Sequence, residues 1–124
     1  MIKPKRVAVV DDDRDMVRTL CDILELHGWE AVPTYDGEGA VWLSRNDDID
    51  LFLMDVRMPR LNGVDAWNAI RVLHPRARSV LMTAYAPPEA LALTPGQGVI
   101  CILRKPVAIP DLIDALETAR DSSL

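Results

Sequence analysis

Six residues of this chain stand where their side chains could do chemistry together. Asp11, Asp12 and Asp13 follow the apolar run Arg6–Val10, Asp55 follows Leu51–Met54, Thr83 follows Ser79–Met82, and Lys105 lies just past Val99–Leu103. Crowded carboxylates repel one another, so such a set needs a cation. Oxygen donors with no His or Cys beside them favour a hard ion, Mg2+ or Ca2+. A lysine opposite a metal makes chemical sense when an anion lies between them, and phosphoryl is the obvious anion. Thr83 would donate its hydroxyl to a phosphoryl oxygen. A carboxylate on a metal, beside a lysine, can itself be the nucleophile of phosphoryl transfer. Each residue alone has a plainer role: an Asp after a strand caps the next helix, as Asp13 is placed to do, and a Lys before Pro is a solvated charge. The functional reading rests on four strand ends supplying complementary groups.

The elements that position these residues follow from two kinds of segment. Short apolar runs at Arg6–Val10, Glu30–Thr34, Leu51–Met54, Ser79–Met82 and Val99–Leu103 are too short for helices and read as buried parallel strands. Pro33 moves the second of these to a sheet edge. Between them, Val17, Leu20, Cys21 and Leu24 keep helical spacing, with Gly28 placed to stop the helix. Gly63, Ala66, Trp67 and Ile70 repeat the pattern and Pro75 closes it. Ile109, Leu112, Ile113 and Leu116 repeat it again, with Pro110 in the first turn. A shorter helix spans Gly37–Arg45, entered through Asp36, and Pro87–Leu93 predicts a short or frayed one. The order βαβαβαβαβα implies an α/β fold, a doubly wound five-stranded parallel sheet with helices on both faces. Ligands of such sheets bind beyond the carboxyl ends of the strands, where the six residues fall.

Composition bounds the rest. A chain of 124 residues, 49% apolar and 27% charged, fits one ordinary globular domain and not a disordered one, so residues 1–124 are read as a single domain. No apolar run is long enough to span a membrane. The basic start lacks the apolar stretch of a signal peptide, which points to the cytoplasm. The net charge of −5 disfavours direct nucleic-acid binding, and −2 of it belongs to Asp11, Asp12, Asp55 and Lys105. Cys21 and Cys101 sit among apolar residues and read as two reduced, buried thiols. Trp67 reads as core, Trp29 and Trp42 as partly exposed. His27 and His74 fall at helix ends, where they would meet free carbonyls rather than a metal.

Taken together, the segments Val9-Val10-Asp11-Asp12-Asp13, Leu53-Met54-Asp55-Val56-Arg57-Met58-Pro59 with Asn62-Gly63, Met82-Thr83-Ala84 and Lys105-Pro106 resemble the receiver domain of two-component response regulators. The separations, 43 residues from Asp12 to Asp55, 28 on to Thr83 and 22 on to Lys105, are of the size that family uses. The resemblance covers nearly the whole chain. It implies a flavodoxin-like (βα)5 fold and a phosphorelay function. Asp55 would be the phosphoacceptor, taking its phosphoryl group from a sensor histidine kinase or phosphotransfer protein. Asp12 would bind Mg2+ directly, Asp11 largely through water, and the backbone carbonyl of Arg57 would be a further ligand. Thr83 would be the switch hydroxyl and Lys105 the phosphoryl ion pair. The Lys105–Pro106 peptide would be cis. Self-phosphorylation and dephosphorylation would need Mg2+ but no separate enzyme, and a homodimer would use the 86–120 region.

One feature sets the chain apart from the family's usual pattern, and two further positions flank the chemistry. Ile102 stands three residues before Lys105, where most receivers carry an aromatic ring that turns inward when the threonine moves. Arg57 and Tyr85, two residues past Asp55 and Thr83, would screen the site from water and slow loss of the phosphoryl group. Two other readings compete. Asp11-x-Asp13 could serve a haloacid dehalogenase-type phosphohydrolase with Asp11 as nucleophile, although position 15 is Asp where those enzymes prefer Thr or Val. The chain could also be a receiver-like scaffold that works without phosphorylation.

Overall fold

The computed structural model describes residues 4–46, 49–84 and 98–122. The expected helix at Pro87–Leu93, Tyr85 and the whole 86–96 segment lie outside the described residues.

Five strands form one parallel sheet: β1 (Arg6–Val10), β2 (Glu30–Thr34), β3 (Leu51–Asp55), β4 (Arg78–Thr83) and β5 (Val99–Arg104). Their spatial order is β2-β1-β3-β4-β5, with every pairing parallel. Pro33 therefore lies on an edge strand, where its missing N–H takes nothing from the ladder. The described helices are α1 (Arg14–Leu26), α2 (Gly37–Asn46), α3 (Gly63–Leu73) and α4 (Ile109–Asp121).

Alternation along each strand divides the core in two. Val7, Val9, Leu53, Val80 and Met82 face Val17, Leu24, Leu112 and Leu116 of α1 and α4. Ala8, Val10, Phe52, Met54 and Leu81 face Ala40, Val64, Trp67 and Ile70 of α2 and α3. The central strands are apolar on both faces because both are covered. Trp67 is fully buried, edge-on to Phe52 at 6.3 Å between ring centroids.

Helix ends follow their local chemistry. The Asp13 carboxylate accepts from Met16 N–H, and the Asn62 side chain accepts from Asp65 N–H. The His27 ring lies 2.9 Å from the Ile23 carbonyl, and Gly28 leaves α1 with φ +86°. Two expectations are corrected. Trp29 is buried, not partly exposed: its backbone N–H bonds the Leu24 carbonyl at the end of α1, and its side chain packs in the cluster with Leu20 and Leu24. Cys101 is half-buried, on an edge strand, while Cys21 is buried; both are free thiols.

Candidate functional site

Strand register brings the expected residues to one edge of the sheet. Val10 pairs with Met54, which sets Asp11 beside Asp55. Asp55 pairs with Met82, and Thr83 with Arg104, which puts Thr83 and Lys105 on the next two strand ends. Asp55 and Thr83 are themselves the last residues of their strands. Val56 N–H bonds the Met82 carbonyl, and Lys105 N–H bonds the Thr83 carbonyl, so the ladders continue past the apolar runs. The Lys105–Pro106 peptide is cis.

The side chains meet closely. Lys105 Nζ lies 2.7 Å from Asp11 Oδ2 and 3.3 Å from Asp55 Oδ1. The other Asp11 oxygen accepts from Asp13 N–H at 3.0 Å. Asp11, Asp55 and Thr83 are buried, Lys105 is half-buried, and Asp12 and Arg57 are exposed. One carboxylate oxygen from each of Asp11, Asp12 and Asp55 lies within 4.8 Å of the others, so a single cation fits between them. An all-oxygen donor set suits Mg2+.

Burial pushes the Asp55 carboxyl up to about 6, with the Asp11 charge raising it further. Lys105 and the Arg57 backbone N–H, which hydrogen-bonds the carboxylate, oppose the rise without cancelling it. Burial by itself would lower the Lys105 ammonium, but its hydrogen bond to Asp11 and the charges of Asp55 and Asp11 hold it above its ordinary range. At neutral pH Asp55 is thus mostly ionised yet more basic than a solvent carboxylate, a property suited to a nucleophile. Asp11 is engaged through both oxygens, one by Lys105 and the other by the Asp13 N–H.

The loop between β3 and α3 supports Asp55 from below. Gly63 N–H bonds the Val56 carbonyl at 2.8 Å, and a Cβ on Gly63 would lie 2.2 Å from the Asp55 carbonyl oxygen. Only glycine lets the start of α3 sit against the backbone of Asp55. The spacing Asn62-Gly63 was visible in the sequence, but this contact was not. Gly63→Ala is expected to lower stability by about 1–3 kcal/mol, because the clash is with fixed backbone. Urea unfolding would measure it, and an unchanged midpoint would refute the close approach. Arg60 was also missed, since nothing in its type marks the left-handed backbone it adopts.

A protein-family model, that of the response regulator receiver domain, matches residues 7–117. The chain belongs to this family. Receiver domains are signalling domains of two-component systems rather than enzymes in the usual sense, and the phosphohydrolase alternative falls. The domain is 34% identical over 110 residues to a response regulator receiver protein of Anaeromyxobacter sp. (strain Fw109-5), covering 89% of this chain and 46% of that protein. It is 36% identical over 118 residues to the transcriptional regulatory protein PdtaR of Mycobacterium tuberculosis, covering 94% of this chain and 57% of that one. The chain thus spans roughly half the length of these curated relatives. Among solved structures it resembles a CheY-like response regulator receiver domain protein from Methanospirillum hungatei JF-1, with a TM-score of 0.88 and 25% identity, covering 95% of this chain and 94% of that one. No described helix of this receiver domain is long and apolar enough to cross a membrane.

Proposed function

We propose that this receiver domain, residues 1–124 as one unit acting in the cytoplasm, accepts a phosphoryl group on Asp55 from a phosphohistidine of a sensor kinase or phosphotransfer protein. The observation that carries this reading is the meeting of three groups from different strand ends, with Lys105 Nζ 2.7 Å from Asp11 and 3.3 Å from buried Asp55. An Asp55 oxygen attacks phosphorus, the phosphorus–nitrogen bond breaks, and the imidazole leaves with its electron pair and takes up a proton. Asp11, Asp12, Asp55 and the Arg57 carbonyl would hold Mg2+, whose charge, when bound, offsets the negative charge building on the transferred group. Lys105 is already within reach of Asp55 and would transfer its ion pair to the phosphoryl oxygens. Thr83, buried one strand away, would donate its hydroxyl to the same oxygens.

That exchange supplies the switch: the acyl phosphate offers Thr83 and Lys105 bonds that the free carboxylate does not, so a two-state equilibrium shifts. Ile102 is half-buried against the cluster that includes Leu81 and Trp67. An isoleucine has no ring to swing, so movement is transmitted here by packing. The shielding role of Arg57 and Tyr85, and a homodimer through the 86–120 region, belong to the same reading; no direct contact with nucleic acid or membrane does.

Incubation with acetyl phosphate and Mg2+, followed by intact mass measurement, tests the core of it. The expected result is a gain of one phosphoryl group, lost in Asp55→Asn and blocked by a chelator. No gain in folded protein would leave the receiver-like scaffold, and a gain that persists in Asp55→Asn would move the site elsewhere.

A further inference from the structure

The β3–α3 loop, residues 56–62, carries Arg57, whose carbonyl the proposed function assigns to the cation site. Its start is fixed by Val56, whose N–H bonds the Met82 carbonyl. Its end is fixed by Gly63, pressed against Asp55. Its far side is fixed against α2 in two independent ways. A Cβ on Gly37, the first residue of α2, would lie 2.5 Å from the Leu61 carbonyl oxygen, so the helix start and the loop backbone touch. Next to Leu61, the Arg60 guanidinium reaches Asp36 at 3.5 Å and Glu38 at 3.9 Å. Asp36 is itself anchored, accepting from Gly39 N–H at the start of the helix.

Arg60 holds this place at a cost. Its φ is +67°, the left-handed region that a side chain disfavours and glycine accepts freely. An arginine in that conformation projects a cation from a tight turn onto two acids of a neighbouring element. We propose that Arg60 is a positioning residue for the divalent-cation site: by tying the loop to the first turn of α2, it holds the Arg57 carbonyl where a cation between Asp11, Asp12 and Asp55 can use it. This inference rests on the Mg2+ reading above.

Two physical effects of Arg60 on cation binding have opposite signs. As a bare positive charge near an acidic site it repels a cation, so its neutralisation would tighten binding. As a tether it pre-organises a ligand, so its neutralisation would weaken binding. The sign of the change decides between them.

The experiment is calorimetric titration with Mg2+ alone, at fixed ionic strength, of the wild-type chain, Arg60→Gln, Arg60→Lys and the charge swap Glu38→Arg with Arg60→Glu. The expected result is a dissociation constant about three- to fivefold weaker for Arg60→Gln, the size an exposed ion-pair tether can give. Arg60→Lys, which keeps a cation facing Asp36 and Glu38, recovers most of it, and the swap, which restores only the pair with position 38 and sets a carboxylate against Asp36, recovers part. The thermal midpoint in chelator should stay within a few degrees for all four proteins, separating positioning from general destabilisation. Binding by Arg60→Gln as tight as wild type, or tighter, would overturn the inference while leaving the Mg2+ reading intact. Equal weakening in all three variants would overturn it too. A wild-type chain that binds no Mg2+ would overturn both.

Discussion

Asp55→Asn is expected to make the metal-free protein more stable at pH 8, although it removes the proposed phosphoacceptor. The sign follows from the raised carboxyl. Asp55 ionises near pH 6 in the folded chain and near 3.8 in the unfolded one, chiefly because folding buries it. Between those values the folded state holds a proton that the unfolded state has released. The contribution of Asp55 to stability is therefore fully present below about pH 3.8 and is lost as pH rises through about 6. Above that range the buried charge opposes folding by about 2–3 kcal/mol, from roughly two pKa units at 1.36 kcal/mol each. Asparagine keeps the shape and removes the charge, while Lys105 keeps Asp11. The variant should melt on the order of 10 °C higher at pH 8 in chelator, and the gap should close as pH falls toward 4. Thermal melts at several pH values measure this. A variant no more stable than wild type at pH 8, or a gap independent of pH, would show that the site does not strain Asp55. The same titration sets a limit on uptake from acetyl phosphate in the wild type, which should fall as pH drops below 6.

Lys105→Met should have the opposite effect on stability, and Mg2+ should reverse it. Lys105 is the ammonium that touches both Asp11 and Asp55, and Asp11 is only 1% exposed. Breaking a buried pair from one side leaves an uncompensated charge, at about 3–5 kcal/mol. The raised Lys105 group is protonated throughout the neutral range, so the loss should be complete at pH 7 and shrink at acid pH, where Asp55 is protonated. A cation bound among the three carboxylates would supply the missing positive charge. Mg2+ should therefore raise the melting temperature of the variant more than that of wild type. An equal Mg2+ shift in both proteins, or no loss in chelator, would mean that Lys105 does not balance the acidic cluster.

Much of this fold was legible because the sheet is covered on both faces. Val7–Val10, Leu51–Met54 and Val80–Met82 had to be continuous apolar runs, and such runs stand out between helical patterns. The edge position of β2 was legible in Pro33 alone. Trp29 misled because it follows the helix-stopping Gly28, where a loop residue would be exposed; only the packing of α1 over β1 and β2 shows that the chain turns inward there. The strand ends misled slightly for a related reason. Asp55 and Thr83 read as loop residues by type, yet hydrogen bonds from the neighbouring strands hold both in the sheet.

The candidate site divides the same way. Residue type and order alone determined which groups meet, since a parallel sheet sends every strand's carboxyl end to one edge and Asp11, Asp12, Asp55, Thr83 and Lys105 follow those ends. Tertiary structure decided how they meet. Burial, which no side chain reveals by itself, raised Asp55, and the packed geometry set Lys105 closer to Asp11 than to Asp55. Contacts between backbones likewise decided the roles of Gly37, Gly63 and Arg60, because a close approach or a left-handed turn depends on where a second segment lies. Local chemistry can be read along the chain, but desolvation and steric fit depend on segments far apart in sequence, and they exist only once the chain has closed on itself.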